Sequence, residues 1–113
     1  LGLKVVDDIS LNENILELSK RNNFKLIEAH DGGYGKISDE NIRFINDFKE
    51  NFGIQLDPIY TGKMMRKIFE MIDENEFSEG SRILAFHTGG LQGIFGANQM
   101  LKKQNRELIN FEI

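Results

Sequence analysis

The chain has 113 residues, of which 40 % are hydrophobic and 28 % charged, and its formal net charge is −4. This size and apolar content are typical of one folded domain or part of one, and no apolar run is long enough to span a bilayer. Acidic and basic residues are interspersed, which disfavours nucleic acid and membrane surfaces as partners and favours small molecules or proteins. Because cysteine is absent and the first residues do not resemble a signal peptide, we expect a cytoplasmic protein without disulfide or thiolate sites.

The first part of the chain is predicted to form a strand, a helix and a second strand. Residues 2–6 are apolar and end in β-branched side chains, which is typical of a buried strand. A capping-box pattern at residues 10–13 begins an amphipathic helix, which ends before a second predicted strand at residues 24–29. The loop that follows, residues 30–35, is rich in glycine and surrounds Tyr34.

Two helices are predicted in the central part of the chain. The first is capped by Ser38 and ends at Gly53. Its apolar stripe consists of Ile42, Ile45, Phe48 and Phe52. The second begins at Thr61, which is placed to cap it, and fades near Asn75. Its inward face is predicted to contain Met64, Met65, Ile68 and Ile72.

A third strand is predicted at residues 82–86 and a last helix at residues 90–103. Strands that alternate with helices imply parallel pairing through right-handed crossovers. The predicted fold class is therefore α/β, with a parallel sheet in a layered architecture and with sites at the carboxyl ends of its strands.

Two strand-to-helix corners are candidates for such a site. In the corner at residues 56–63, Pro58 fixes its own φ, Gly62 permits close backbone approach, and the Tyr60 hydroxyl is held on stiff backbone. The second corner, residues 85–90, ends in a pair of glycines. We expect the two corners to line one cleft.

The two tyrosines, Tyr34 and Tyr60, are the candidate acid-base groups. A phenol can donate or accept a proton, or orient a substrate, when its surroundings tune it. The alternative is a pair of half-buried tyrosines whose hydroxyl groups bond to the backbone. Thr61 likewise needs no ligand if its hydroxyl only caps a helix.

Other chemistries have weaker support in the sequence. The turn at Gly89 offers amide groups to a carboxylate or phosphate, but the glycines do not spell a dinucleotide fingerprint. His30 and His87 lack the spacing of metal ligands, so no metal is expected. Lys63 is expected to be solvated on the surface of its helix, like the other lysines, and is rejected as a Schiff-base former.

Three segments together carry a family resemblance. They read Gly-Tyr-Gly at 33–35, Leu-Asp-Pro-Ile-Tyr-Thr-Gly-Lys-Met-Met at 56–65 and Ile-Leu-Ala-Phe-His-Thr-Gly-Gly at 83–90. In this order and spacing they resemble the C-terminal part of the pyridoxal-phosphate enzymes grouped as 1-aminocyclopropane-1-carboxylate deaminase and D-cysteine desulfhydrase. The likeness extends from Gly2 to about Gly96.

The resemblance implies fold type II of the pyridoxal-phosphate enzymes, which is tryptophan synthase β-like, and a three-layer, parallel-sheet portion of it. In such enzymes the cofactor lysine, the active-site serine and the phosphate loop belong to upstream segments, and no motif here matches them. We therefore expect residues 1–113 to be a C-terminal segment of a larger catalytic domain that lacks its N-terminal part. The segment alone should be inactive, and the full-length enzyme should be a homodimer.

By the same resemblance, Tyr34 and Tyr60 match two catalytic tyrosines that reach the substrate amino acid. Thr88 matches a position that presents a hydroxyl to the pyridine nitrogen of pyridoxal phosphate, Thr61 faces the same region, and Gly89 is expected to bind the substrate. A neutral hydroxyl leaves that nitrogen unprotonated, and the weaker electron sink that results suits expulsion of a β-substituent.

The deaminase branch carries glutamate at position 61 and leucine at position 88, whereas this chain has threonine at both, as the desulfhydrase-like branch does. The resemblance therefore favours β-elimination from a small amino acid such as D-cysteine, which releases pyruvate, ammonia and sulfide. The alternatives are a ring-opening deaminase that gives 2-oxobutanoate and ammonia, a non-catalytic relative, and an α/β module that binds a small anion at the turn after Thr88.

Overall fold

The structure, a computed structural model, describes Gly2–Lys4 and residues 26–111. In chain order its elements are β1 (Gly2–Lys4), β2 (Leu26–Glu28), α1 (Asp39–Phe52), α2 (Thr61–Asp73) and α3 (Gly93–Lys103). The predicted helix that begins in the capping box lies outside the described residues, as do the flanking ends of the first two predicted strands. Within the described ranges, no helix is long and apolar enough to cross a membrane.

The two strands pair in parallel, as the sequence predicts for neighbouring strands in this chain. Gly2 lies opposite Leu26, Leu3 opposite Ile27, and Lys4 opposite Glu28. A parallel pair needs a crossover connection of a dozen or more residues, and residues 5–25 are long enough to supply one. A ladder of two short strands does not test the layered α/β architecture, which stays a prediction.

The third predicted strand is wrong in the described part of the chain. Residues 82–86 are irregular, and no described segment forms backbone hydrogen bonds with them. Leu84 and Phe86 are 80 % and 71 % exposed. Strand propensity in the sequence reflects side chains that suit a pleated surface, but a strand forms only beside a neighbour that pairs with its backbone.

Helix α1 begins and ends at the residues that the sequence indicates. Ser38 Oγ accepts a hydrogen bond from the Asn41 amide at 3.1 Å, and Gly53 adopts φ +70° while its amide donates to Lys49 O. Ile42, Ile45 and Phe48 are buried, but Phe52 is exposed, with its ring centroid 4.7 Å from that of Phe48 and 6.2 Å from that of Phe69.

Helix α2 packs against α1 and buries a slightly different face from the one predicted. Met71 is buried with Ile68, whereas Ile72 is exposed. The ring of Phe69 contacts Phe44 and Phe48 of α1 edge-on, with centroids 5.4 and 5.7 Å away. The main core cluster consists of Ile37, Ile42, Ile45, Phe48, Leu56, Ile94, Leu101 and Ile109.

The last described residues form an extended tail that sequence patterns do not single out. Asn98 donates to Ile109 O at 2.9 Å and accepts from the Ile109 amide at 2.8 Å. Asn46 donates to Leu108 O at 3.0 Å and accepts from the Asn110 amide at 2.8 Å. A side-chain amide offers the same donor and acceptor as a peptide group. These asparagines therefore supply the hydrogen bonds that a neighbouring strand would make on each side of the tail, and they hold Ile109 in the core.

Candidate functional site

The two predicted corners lie against each other. A Cβ atom at Gly90 would be 3.0 Å from Asp57 Oδ2, so only glycine fits this approach without displacement. His87 Nε2 lies 2.7 Å from Gln55 O, which ties the second corner to the segment that leads into the first. The expected common cleft is confirmed, since residues of both corners line one groove.

The Asp57 carboxylate organises the first corner. Oδ1 accepts hydrogen bonds from the amides of Ile59 and Tyr60 at 2.8 and 2.7 Å. Oδ2 accepts from the Thr61 amide at 2.8 Å and from the Thr61 hydroxyl at 2.6 Å. The carboxylate is buried, yet both its oxygen atoms are bonded at the positive end of α2.

The prediction that Thr61 caps α2 is therefore wrong. The cap position is Tyr60, whose side chain makes no capping bond, and the free amides of the first turn bond to Asp57 instead. The turn at residues 58–60 folds the aspartate back under the helix. An aspartate before a turn is a known signal for such bonds, and it was available in the sequence.

The two threonines have different hydrogen-bonding states, although both line the groove. Thr61 Oγ1 donates its one proton to Asp57 Oδ2 and also accepts from the Asp57 amide at 2.8 Å. Thr88 is exposed, and no described residue bonds to its hydroxyl. Thr88 is thus the threonine whose proton is available to a ligand.

The two tyrosines come together, although they lie in separate loops. Their hydroxyl oxygen atoms are 3.0 Å apart, and their ring centroids are 6.1 Å apart with the planes tilted by 50°. Tyr34 is 60 % and Tyr60 42 % exposed. The hydrogen bond to Tyr34 raises the pKa of the Tyr60 phenol, with smaller contributions from desolvation and nearby negative charge. The neutral phenol is therefore favoured further, and it stays protonated well above neutral pH.

The groove beside this pair has a volume of about 590 Å³, which is within the range of small-molecule sites. Met64 and Ile68 of α2 form one apolar wall, and residues 83–86 form the other. The polar side chains that line the groove are Tyr60, Thr61, Ser81, Arg82 and Thr88. Tyr34 does not line the groove itself and reaches it through Tyr60.

The Gly89 amide is already hydrogen-bonded within the second corner. This amide donates to His87 Nδ1 at 3.1 Å, so Nδ1 must be unprotonated. His87 is then the neutral tautomer with its proton on Nε2, which donates to Gln55 O. Because the Asp57 carboxylate lies against Gly90, the charge at this turn does not favour an anion.

Lys63 differs most from expectation, because it is only 2 % exposed instead of solvated. Its Nζ donates to His30 O at 2.7 Å and to Gly33 O at 2.9 Å. Burial lowers the pKa of Lys63, and the nearby carboxylates of Asp31 and Asp57 oppose that shift. A loop with several glycines leaves carbonyl groups without regular partners, and this was the one signal in the sequence for a nearby donor.

Among the described residues, no three histidine or acidic side chains are grouped as a metal site would require. No protein-family model matches the sequence, and no solved structure is significantly similar to this one.

Proposed function

We propose that this chain forms the substrate-facing part of a pyridoxal-phosphate-dependent enzyme that eliminates a β-substituent from a small amino acid such as D-cysteine. The supporting observation is the tyrosine pair, because Tyr34 and Tyr60 share a hydrogen bond at the polar end of the groove that Thr88 also lines. The motif resemblance matches these same residues to catalytic and cofactor-facing positions.

The residues present fit one side of such a cofactor. The groove is large enough for a small amino acid attached to an aromatic ring, its lining is mostly apolar, and the Thr88 hydroxyl is available. No described lysine lines the groove, so we place the cofactor lysine in a segment other than those that carry the matching motifs. When bound, pyridoxal phosphate would supply an electron-accepting ring that stabilises negative charge on the substrate.

The proposed work of this chain is proton handling and orientation. Tyr60 Oη holds a proton at neutral pH, as any phenol with a pKa at or above 10.0 does, and is placed to donate it to the leaving sulfur. Tyr34 Oη lies at hydrogen-bond distance and can replace that proton. Thr88 Oγ1 is assigned to the ring nitrogen, whereas Thr61 positions the corner through its bonds to Asp57.

The test is a comparison of substrates with the full-length enzyme that contains this chain. We expect a higher kcat/KM for D-cysteine, measured as pyruvate and sulfide, than for 1-aminocyclopropane-1-carboxylate, measured as 2-oxobutanoate. Tyr60→Phe should lower kcat by roughly 10²-fold to 10⁴-fold, the loss typical of an acid-base group. Ser81→Ala, which also alters a groove hydroxyl, should leave kcat nearly unchanged.

Thr88→Leu tests the choice between elimination and ring opening. Leucine would offer no hydroxyl to the ring nitrogen of a bound cofactor, so the ratio of kcat/KM values should move toward the cyclopropane substrate. Thr61→Glu is a poorer test, because a second carboxylate would lie against Asp57 and break its hydrogen bonds. A parent enzyme that prefers the cyclopropane substrate, or a Tyr60→Phe enzyme of undiminished rate, would contradict the proposal.

A further inference from the structure

The loop that carries Tyr34 has little backbone structure of its own. Asp31, Gly32, Gly33 and Gly35 all have positive φ, at +52°, +88°, +126° and +76°. Within the loop, Gly33 N donates to His30 O and Lys36 N donates to Gly33 O, both at 3.2 Å. Such a segment keeps one conformation only if side chains from outside hold it.

Two anchors hold the loop at different places. Near its start, the Asp31 carboxylate lies 3.2 Å from Arg66 Nη1 and accepts a hydrogen bond from Ser38 Oγ at 2.6 Å. The second anchor is Lys63, whose Nζ donates to both His30 O and Gly33 O and so bonds the loop at its first residue and at its centre. Of these two anchors, only the lysine bonds to Gly33, the residue directly before Tyr34.

Lys63 and Tyr60 belong to the same rigid unit. Tyr60 is the cap residue of α2, and Lys63 lies in the first turn of that helix. The corner beneath them is fixed by the four hydrogen bonds to Asp57. One end of α2 therefore presents Tyr60 directly and holds the Tyr34 loop through the Lys63 ammonium.

We propose that Lys63 is a positioning residue, which keeps the Tyr34 phenol in contact with the Tyr60 phenol by holding the loop carbonyls. The carboxylates of Asp31 and Asp57 lie near the ammonium and offset part of the cost of burying it. The contact is a structural claim, and only its importance for turnover rests on the proposed function.

The test uses the fact that the chain has two tyrosines and no tryptophan. In protein labelled with [¹³Cζ]tyrosine, NMR at pH 7 gives two phenol signals, and ring–ring NOEs report the pair directly. Lys63→Met keeps the aliphatic stem but removes the ammonium. We expect it to abolish the NOEs and to move the Tyr60 signal to its position in Tyr34→Phe. Lys67→Met, which removes a lysine one turn along α2, should change neither.

In the full-length enzyme, Lys63→Met should lower kcat by up to about 10²-fold with little change in KM, as misplaced catalytic groups do. Retained NOEs and an unmoved Tyr60 signal in Lys63→Met would overturn the proposal. If that variant does not fold, the parent protein decides the question. Its ¹⁵Nζ signal of Lys63 should show scalar coupling to the carbonyl ¹³C of His30 and Gly33, and absence of this coupling would overturn the proposal as well.

These outcomes separate the positioning role of Lys63 from the proposed function. If Lys63→Met loses the NOEs but the full-length parent enzyme has no elimination activity, the positioning role of Lys63 is supported and the proposed function is contradicted. If the parent enzyme prefers D-cysteine as proposed but Lys63→Met keeps the NOEs, the proposed function is supported and the positioning role of Lys63 is contradicted.

Discussion

The Asp57 carboxylate should be the most sensitive polar group of the described structure, and Asp57→Asn tests this. The substitution keeps the size of the side chain but replaces one acceptor oxygen with a donor NH₂ group. With the NH₂ group at the Oδ1 position, the bonds from the Ile59 and Tyr60 amides are lost. With the NH₂ group at the Oδ2 position, the bond from the Thr61 amide is lost, whereas the Thr61 hydroxyl can turn and accept from the NH₂ group. The favourable interaction of a negative charge with the start of α2 is also lost.

The magnitude follows from the number of lost bonds. A hydrogen bond to a charged group contributes about 1.5–3 kcal/mol, so losing at least one should lower the free energy of unfolding by at least about 1.5 kcal/mol. For a chain of this length, that corresponds to a fall in Tm of at least roughly 6 °C.

Urea unfolding followed by circular dichroism at 222 nm measures this change. Asp47→Asn is the matched control, because it makes the same chemical change at an exposed position of α1, and it should shift stability by less than about 0.5 kcal/mol. A loss below about 1 kcal/mol in Asp57→Asn would show that the carboxylate does not hold the corner together.

Three further perturbations have outcomes that the structure defines. Gly62→Ala should cost about 1–3 kcal/mol, because its Cβ would lie 2.6 Å from the Asp57 carbonyl oxygen and 2.7 Å from a side-chain carbon of α1. Asn98→Ala should cost about 1–3 kcal/mol by leaving both backbone groups of the buried Ile109 unpaired. The stability contributed by the raised pKa of Tyr60 should be fully present below pH 10.0 and be lost as the pH rises through the raised value.

Controls for these experiments lie nearby in the chain. Gly96→Ala changes a glycine of α3 that has open space around it, so it should stabilise the protein by about 0.5–1 kcal/mol. Gln99→Ala should be nearly neutral in thermal unfolding. The phenolate absorbance of Tyr60 at 295 nm should titrate at a lower pH in Tyr34→Phe than in the parent, and equal midpoints would mean that the phenols do not interact.

Features set by neighbouring residues could be predicted from the sequence, whereas those set by distant contacts could not. The caps at Ser38 and Gly53 were predicted, since each requires only local backbone geometry. The strand at 82–86 was not correct, because pairing depends on what lies beside the segment. The cap of α2 was misassigned because the turn after Asp57 decides which side chain faces the free amides.

The same distinction applies to the candidate site. Tyr34 and Tyr60 were selected for their place beside glycines, and the structure brings them to within a hydrogen bond of each other. Lys63 was missed because its partners, His30 and Gly33, lie 33 and 30 positions away. A charged residue in a helical pattern predicts solvation unless such partners are known.

The asparagine contacts of the tail determine whether it can pair with a strand from another chain. Residues 108–110 present one backbone edge to Asn98 and the opposite edge to Asn46, so neither edge is open to a further strand. An extended segment with both edges occupied cannot act as a template for aggregation. The contacts also fix its register, because an insertion of one residue after α3 would place a different backbone pair at each asparagine. Since successive side chains of an extended segment point to opposite sides, the side chain at the position of Ile109 would then leave the core.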